Sequence, residues 1–115
     1  MAMKQAATTT VKASTHDVMT PLLAAMYEEF KELSKKKPES AVSKSKLLIA
    51  NRLLEKIREV LATEESIEFL DLLNEDDVPQ VSDVTLIFSQ YVAAMQAFKG
   101  KYYGWDGSEH RWFTK

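Results

Sequence analysis

"SKSKLLIANRLLEKIREVLA", Ser43 to Ala62, carries the most regular apolar spacing in the chain. Leu47, Ala50, Leu54, Ile57 and Leu61 recur at steps of three and four, flanked by Leu53 and Val60. One apolar stripe therefore runs down a helix whose other faces carry Lys, Arg and Glu. Such a helix is marginal alone in water, so its stripe calls for other helices to bury against.

Upstream, Val18, Leu22, Met26, Phe30 and Leu33 keep the same spacing between Asp17 and Lys37. They predict a first helix capped by Ser14 or Thr15, with Pro21 tolerated near its first turn and Pro38 as its stop. Downstream, "TEESIEFLDLL" opens on Thr63, a good cap, and puts Glu64 and Glu65 where a helix dipole favours negative charge, which predicts a short third helix. "NEDDVPQ" reads as a loop. Val84, Ile87, Phe88, Tyr91, Val92, Met95 and Phe98 then form a broad stripe from Ser82 to about Tyr103, a fourth helix. The expectation is an all-α fold: a compact bundle of about four helices, one short, joined by short connections that favour antiparallel neighbours.

The 115 residues suit one domain, expected over residues 16–115 behind a flexible leader of residues 1–15. That leader lacks the apolar core of a signal peptide, and no run approaches the roughly 18 apolar residues of a membrane span. With no cysteine, neither a disulfide framework nor a thiolate metal site is available. A cytoplasmic protein without membrane contact is expected. His16 and His110 sit in no metal-ligand or cofactor spacing, so no metal and no cofactor is expected.

Charge is uneven. The net charge is −2, yet residues 63–83 hold eight acids (Glu64, Glu65, Glu68, Asp71, Glu75, Asp76, Asp77, Asp83) and no base, so this segment carries −8 and the rest +6. A single-sign field steers association, which makes Glu64, Glu65, Glu68, Asp71, Glu75, Asp76 and Asp77 candidates for docking a basic protein. "NEDDVPQ" lacks the alternating acids, central glycine and distant glutamate of a calcium loop. The bases gather in "KKKPESAVSKSK", where Lys35, Lys36, Lys37, Lys44 and Lys46 bracket a turn that could hold phosphate. Without an arginine fork or interleaved aromatics, nucleic-acid contact there would be nonspecific, so nucleic acid is a disfavoured partner.

Two i,i+3 carboxylate pairs, Glu29 with Glu32 and Glu68 with Asp71, would each share a helix face, and two such helices could hold Mg²⁺ against a phosphate. The order E-x-x-E then E-x-x-D resembles the all-helical nucleotide pyrophosphohydrolases of the MazG type, although the pairs lie further apart than in that family. The resemblance implies a Mg²⁺-dependent hydrolase. Surface carboxylates are the competing reading.

The chain ends on "GKYYGWDGSEHRWFTK", Gly100 to Lys115, which holds all three glycines and both tryptophans. Asp106-Gly107 signals a two-residue hairpin turn, and period-two alternation would then put Tyr103, Trp105, His110 and Trp112 on one face. One helical turn from Ser108 is the alternative. A lone hairpin is marginally stable, so the aromatic plate must pack on something: its own bundle, or a partner for which Trp, Tyr and Arg111 would act as anchors. The resulting expectation is a non-catalytic protein-interaction module, an adaptor or an antitoxin-, immunity- or phage-type inhibitor, binding another protein or a second copy of itself. The hydrolase and a weak nucleic-acid binder are the alternatives.

Overall fold

The computed structural model describes residues 5–115, and the first four residues of the expected leader lie outside them. Three α-helices and one hairpin follow in order: α1 (Thr10–Lys36), α2 (Lys44–Val60), α3 (Val81–Tyr102), β1 (Tyr103–Trp105) and β2 (His110–Trp112). The fold is thus mostly helical, with three helices where about four are expected.

α2 matches its sequence. Ser43 caps it by accepting from the Lys46 N–H, and Leu47, Ala50, Leu54, Ile57 and Val60 are buried. α1 begins seven residues before Asp17: Thr9, not Ser14 or Thr15, accepts from the Lys12 N–H, and Ala13 is already in the core. Residues 10–15 of the segment read as a leader are therefore helix. Pro21 consequently lies inside α1, on its exposed side, where its missing N–H leaves the Asp17 carbonyl without a helical donor. The stripe that α1 buries is also rotated from the expected one. Ala13, His16, Leu23 and Phe30 face the core, whereas Val18 and Leu22 are exposed.

The largest departure is the connection between α2 and α3. Residues 61–80 form no α-helix. They make an extended strap containing two short 3-10 turns, Glu65–Phe69 and Glu75–Asp77. The strap starts beside the end of α3, where the Tyr102 hydroxyl donates to Glu64 at 2.8 Å, and finishes beside the start of α2, where the Val42 N–H donates to the Pro79 carbonyl at 3.0 Å. It therefore runs back along the whole bundle. α2 and α3 are parallel to each other and antiparallel to α1, because a crossover of twenty residues replaces the short connection. Leu61, Leu70 and Leu73 drop from the strap into the same core as Val84, Phe88 and Tyr91, in place of the short third helix that the sequence predicts.

The hairpin forms, with Tyr103 opposite Trp112, Gly104 opposite Arg111 and Trp105 opposite His110. Its turn is centred on Gly107-Ser108, one residue later than the Asp106-Gly107 signal. Gly107 takes φ +107°, which a side chain would strain. Moving the turn by one residue moves the pairing by two, so the same side chains share a face. The chain end is then clasped to the start: the Thr8 N–H donates to the Phe113 carbonyl at 2.9 Å and the Lys115 N–H to the Thr8 carbonyl at 3.0 Å.

Candidate functional site

The strap is held by its backbone. Asn51, half-buried on α2, donates from its amide to the Leu73 carbonyl at 2.6 Å and accepts the Leu73 N–H at 2.8 Å. Arg58 donates to the Leu70 carbonyl, and the Tyr91 hydroxyl donates to the Asp71 carbonyl at 2.9 Å. Burial raises the Tyr91 phenol above its ordinary value, an effect that Arg58 partly offsets. Three side chains thus satisfy the carbonyls that an α-helix would have satisfied itself. None of the three was singled out from the sequence. The signal was there for Asn51 alone, a short polar side chain beside the apolar stripe of α2.

With the backbone turned inward, the side chains of the strap split into two sets. Glu64 and Glu75 turn back onto the fold: Glu64 meets Lys101 at 3.3 Å as well as Tyr102, and Glu75 meets Lys44 at 3.9 Å. Burial is the first cause that raises the Tyr102 phenol, and Glu64 adds to it. Glu65, Glu68, Asp71, Asp76 and Asp77 are exposed and make no ion pair among the described residues. Between them stand apolar side chains: Phe69 and Leu72, expected inside the short helix, are exposed, Phe69 at 68%, and Val78, expected in the loop, is 60% exposed. Val78 moreover sits at φ +48°, ψ +62°, a left-handed conformation that a β-branched residue adopts only under strain. An open groove of about 840 Å³ lies between this strap and α2, with Leu48, Ile49 and Leu72 on its walls and Glu55, Glu75 and Asp76 on its rim beside Arg52.

The aromatic plate divides. Its inner half packs on the bundle: Trp112 lies 5.1 Å edge-on from His16 and 6.0 Å from Phe98, and its indole N–H donates to Asp17 at 3.1 Å. Tyr103 stacks edge-on against Trp112 at 5.4 Å. His16 is buried, donating from Nε2 to the Met95 carbonyl at 2.8 Å, and serves as packing. The outer half, Trp105 and His110, makes a 5.3 Å edge-on pair in solvent, with Trp105 59% exposed. Asp106 fixes the tip. Its carboxylate accepts the Ser108 and Glu109 N–H groups at 2.8 Å, the Ser108 hydroxyl at 3.1 Å and Arg111 Nε at 2.7 Å. The two backbone N–H bonds, Glu109 first, hold its pKa well below the usual carboxylate range. Arg111 is thereby occupied within its own hairpin.

The two carboxylate pairs lie on different kinds of structure. Glu29 and Glu32 are on α1, where Glu32 pairs with Lys35 at 3.0 Å. Glu68 is in a 3-10 turn and Asp71 beyond it, so the shared helix face expected of that pair is absent. No three His, Asp or Glu side chains among the described residues are grouped to hold a metal ion. Of the lysines at the first turn, Lys35 and Lys44 are engaged by Glu32 and Glu75, while Lys36, Lys37 and Lys46 form no ion pair among the described residues. No described helix is long and apolar enough to cross a membrane. No protein-family model matches the chain, and neither a curated protein nor a solved structure matches it.

Proposed function

We propose that this chain is a protein-interaction module without catalysis of its own, which takes a basic, apolar-anchored segment of a partner protein on the outward face of the strap. One observation carries the reading: five carboxylates without ion pairs among the described residues alternate with exposed Phe69, Leu72 and Val78 on a backbone clamped by Asn51, Arg58 and Tyr91. Solvated acid needs no apolar side chains among it, and a flexible acidic loop needs no clamps. A fixed backbone lowers the entropy lost when a partner binds, the acids speed encounter, and the apolar anchors hold the complex once formed. The exposed Trp105 at the fixed hairpin tip would add a second anchor of the type that dominates interfaces.

The test is fluorescence anisotropy with synthetic amphipathic peptides, one lysine- and arginine-rich with leucine anchors and one with the charges reversed. The basic peptide is expected to bind, losing about tenfold or more in affinity as salt screens the acids. Phe69→Ala should weaken it at every salt concentration, whereas Glu68→Gln with Asp71→Asn should flatten the salt dependence. Equal binding of both peptides, or indifference to all three substitutions, would remove the strap from the account.

A further inference from the structure

α1 carries two apolar stripes; the bundle buries one and covers the other only in part, at Met19, Met26 and Leu33. Ala13, His16, Leu23 and Phe30 are buried, while Val18 and Leu22 point away from the core, Leu22 at 51% exposure. Beside them on the antiparallel α2, Ile49 is exposed and Leu53 only half-buried. Leu22, Ile49 and Leu53, together with Met19 and Met26, wall a groove of about 610 Å³ between the two helices. At its ends the same seam continues, past Ser14 and Val18 at one and to Leu33 at the other. From the structure we infer that this α1–α2 face is the contact between two copies of the chain, paired antiparallel about a two-fold axis near Leu22 and Ala25.

The occupant follows from size, charge and shape. The seam from Ser14 to Leu33 is about 30 Å long at 1.5 Å per residue, and two helices side by side span about 20 Å, which gives a footprint of roughly 600 Å² in projection. That approaches the roughly 800 Å² of accessible surface per partner that a stable complex buries. The groove carries Glu29, Arg52 and Lys56, so it is not a single-sign surface fitted to an acidic or a basic partner. Its charges are arranged along its length instead. Lys56 stands beside Val18 and Met19, whereas Glu29 stands beside Met26 and Ile49, with Lys46 at its margin.

An antiparallel two-fold therefore lays Glu29 of each copy against Lys56 of the other, twice per dimer, as an isologous interface requires. Lys56 exchanges for this an exposed pairing with Glu59 within its own helix at 3.0 Å. Near the axis, Ala25 is exposed and small, and it allows the two copies of α1 to approach closely. Arg52 also borders the groove under the strap, where Glu55, Glu75 and Asp76 lie, and can turn there away from its symmetry mate.

Sedimentation equilibrium of the full chain up to roughly 100 μM, a range that detects a micromolar dimer, decides the matter. A mass of twice the chain is expected. Leu22→Glu and Ile49→Glu change exposed positions, so their circular dichroism should match the parent while the dimer weakens by about tenfold or more. Glu29→Lys should weaken it too, and adding Lys56→Glu to Glu29→Lys should restore it. A monomer throughout, a dimer indifferent to Leu22→Glu and Ile49→Glu, or failure of the double charge reversal to restore pairing would each overturn the proposal. Neither strap acids nor Phe69 enter this readout, so it fails or stands apart from the strap reading.

Discussion

At the scale of single residues, Val78 joins strain to exposure. A β-branched residue in the left-handed region costs about 1–2 kcal/mol, and nothing in the bundle gains from it because its side chain faces solvent. Val78→Gly is therefore expected to raise stability by about 1 kcal/mol in urea denaturation, while weakening the basic peptide by removing an anchor. The two tryptophans give a second expectation. Trp105→Ala should change stability by less than about 0.5 kcal/mol, whereas Trp112→Ala, which uncovers His16 and Phe98, should cost about 2 kcal/mol. Acrylamide should quench Trp105 readily and Trp112 poorly in the corresponding single-tryptophan variants. Asp106 sets a pH expectation. Its pKa in the folded chain lies below the unfolded value of about 3.9, so its contribution is complete above that pH and is lost as pH falls towards the folded value. The Ser108 and Glu109 amide resonances should hold still from neutral pH down through the range in which ordinary carboxylates titrate.

At the scale of elements, the strap shows tertiary contacts overriding local preference. "TEESIEFLDLL" has the cap, the acids and much of the apolar spacing of a helix, and an α-helix there would have met its own hydrogen bonds. The chain instead lets Asn51, Arg58 and Tyr91 meet them and draws Leu61, Leu70 and Leu73 inward. Sequence spacing does not encode that trade, because the clamps come from α2 and α3. Asn51→Leu should cost about 2–3 kcal/mol, since the Leu73 N–H and carbonyl lose their partner together. Amide exchange at Leu73 should accelerate with it.

Alkaline pH offers an independent check on the same contacts. Tyr91 and Tyr102 are raised in the folded chain, so their contribution is whole below the unfolded value of about 10 and declines as pH rises through the folded one. Tyr91→Phe should blunt that alkaline loss. α2, by contrast, was legible almost residue by residue, because a single stripe, a serine cap and a single buried face all agree. α1 misled in phase: it has two apolar stripes, and spacing does not say which of them the bundle buries.

At the scale of the molecule, helical class and burial of part of the tail could be read from the sequence, whereas the parallel path of α2 and α3 could not. The path depends on twenty residues behaving as a strap rather than a helix. The aromatic face survived an error in the turn because a shift of two in pairing preserves parity. The proposed contacts lie on what the fold leaves uncovered: acids with apolar neighbours on one side, a second helix stripe on another, and Trp105 at the tip. Whether the strap docks a basic partner is decided by a two-dimensional amide NMR titration of the full chain with the basic amphipathic peptide. Shifts concentrated between Glu65 and Val78, with smaller ones on the facing residues of α2, are the predicted result. Shifts confined to Trp105–His110 or to the α1–α2 seam, or none at all, would contradict it.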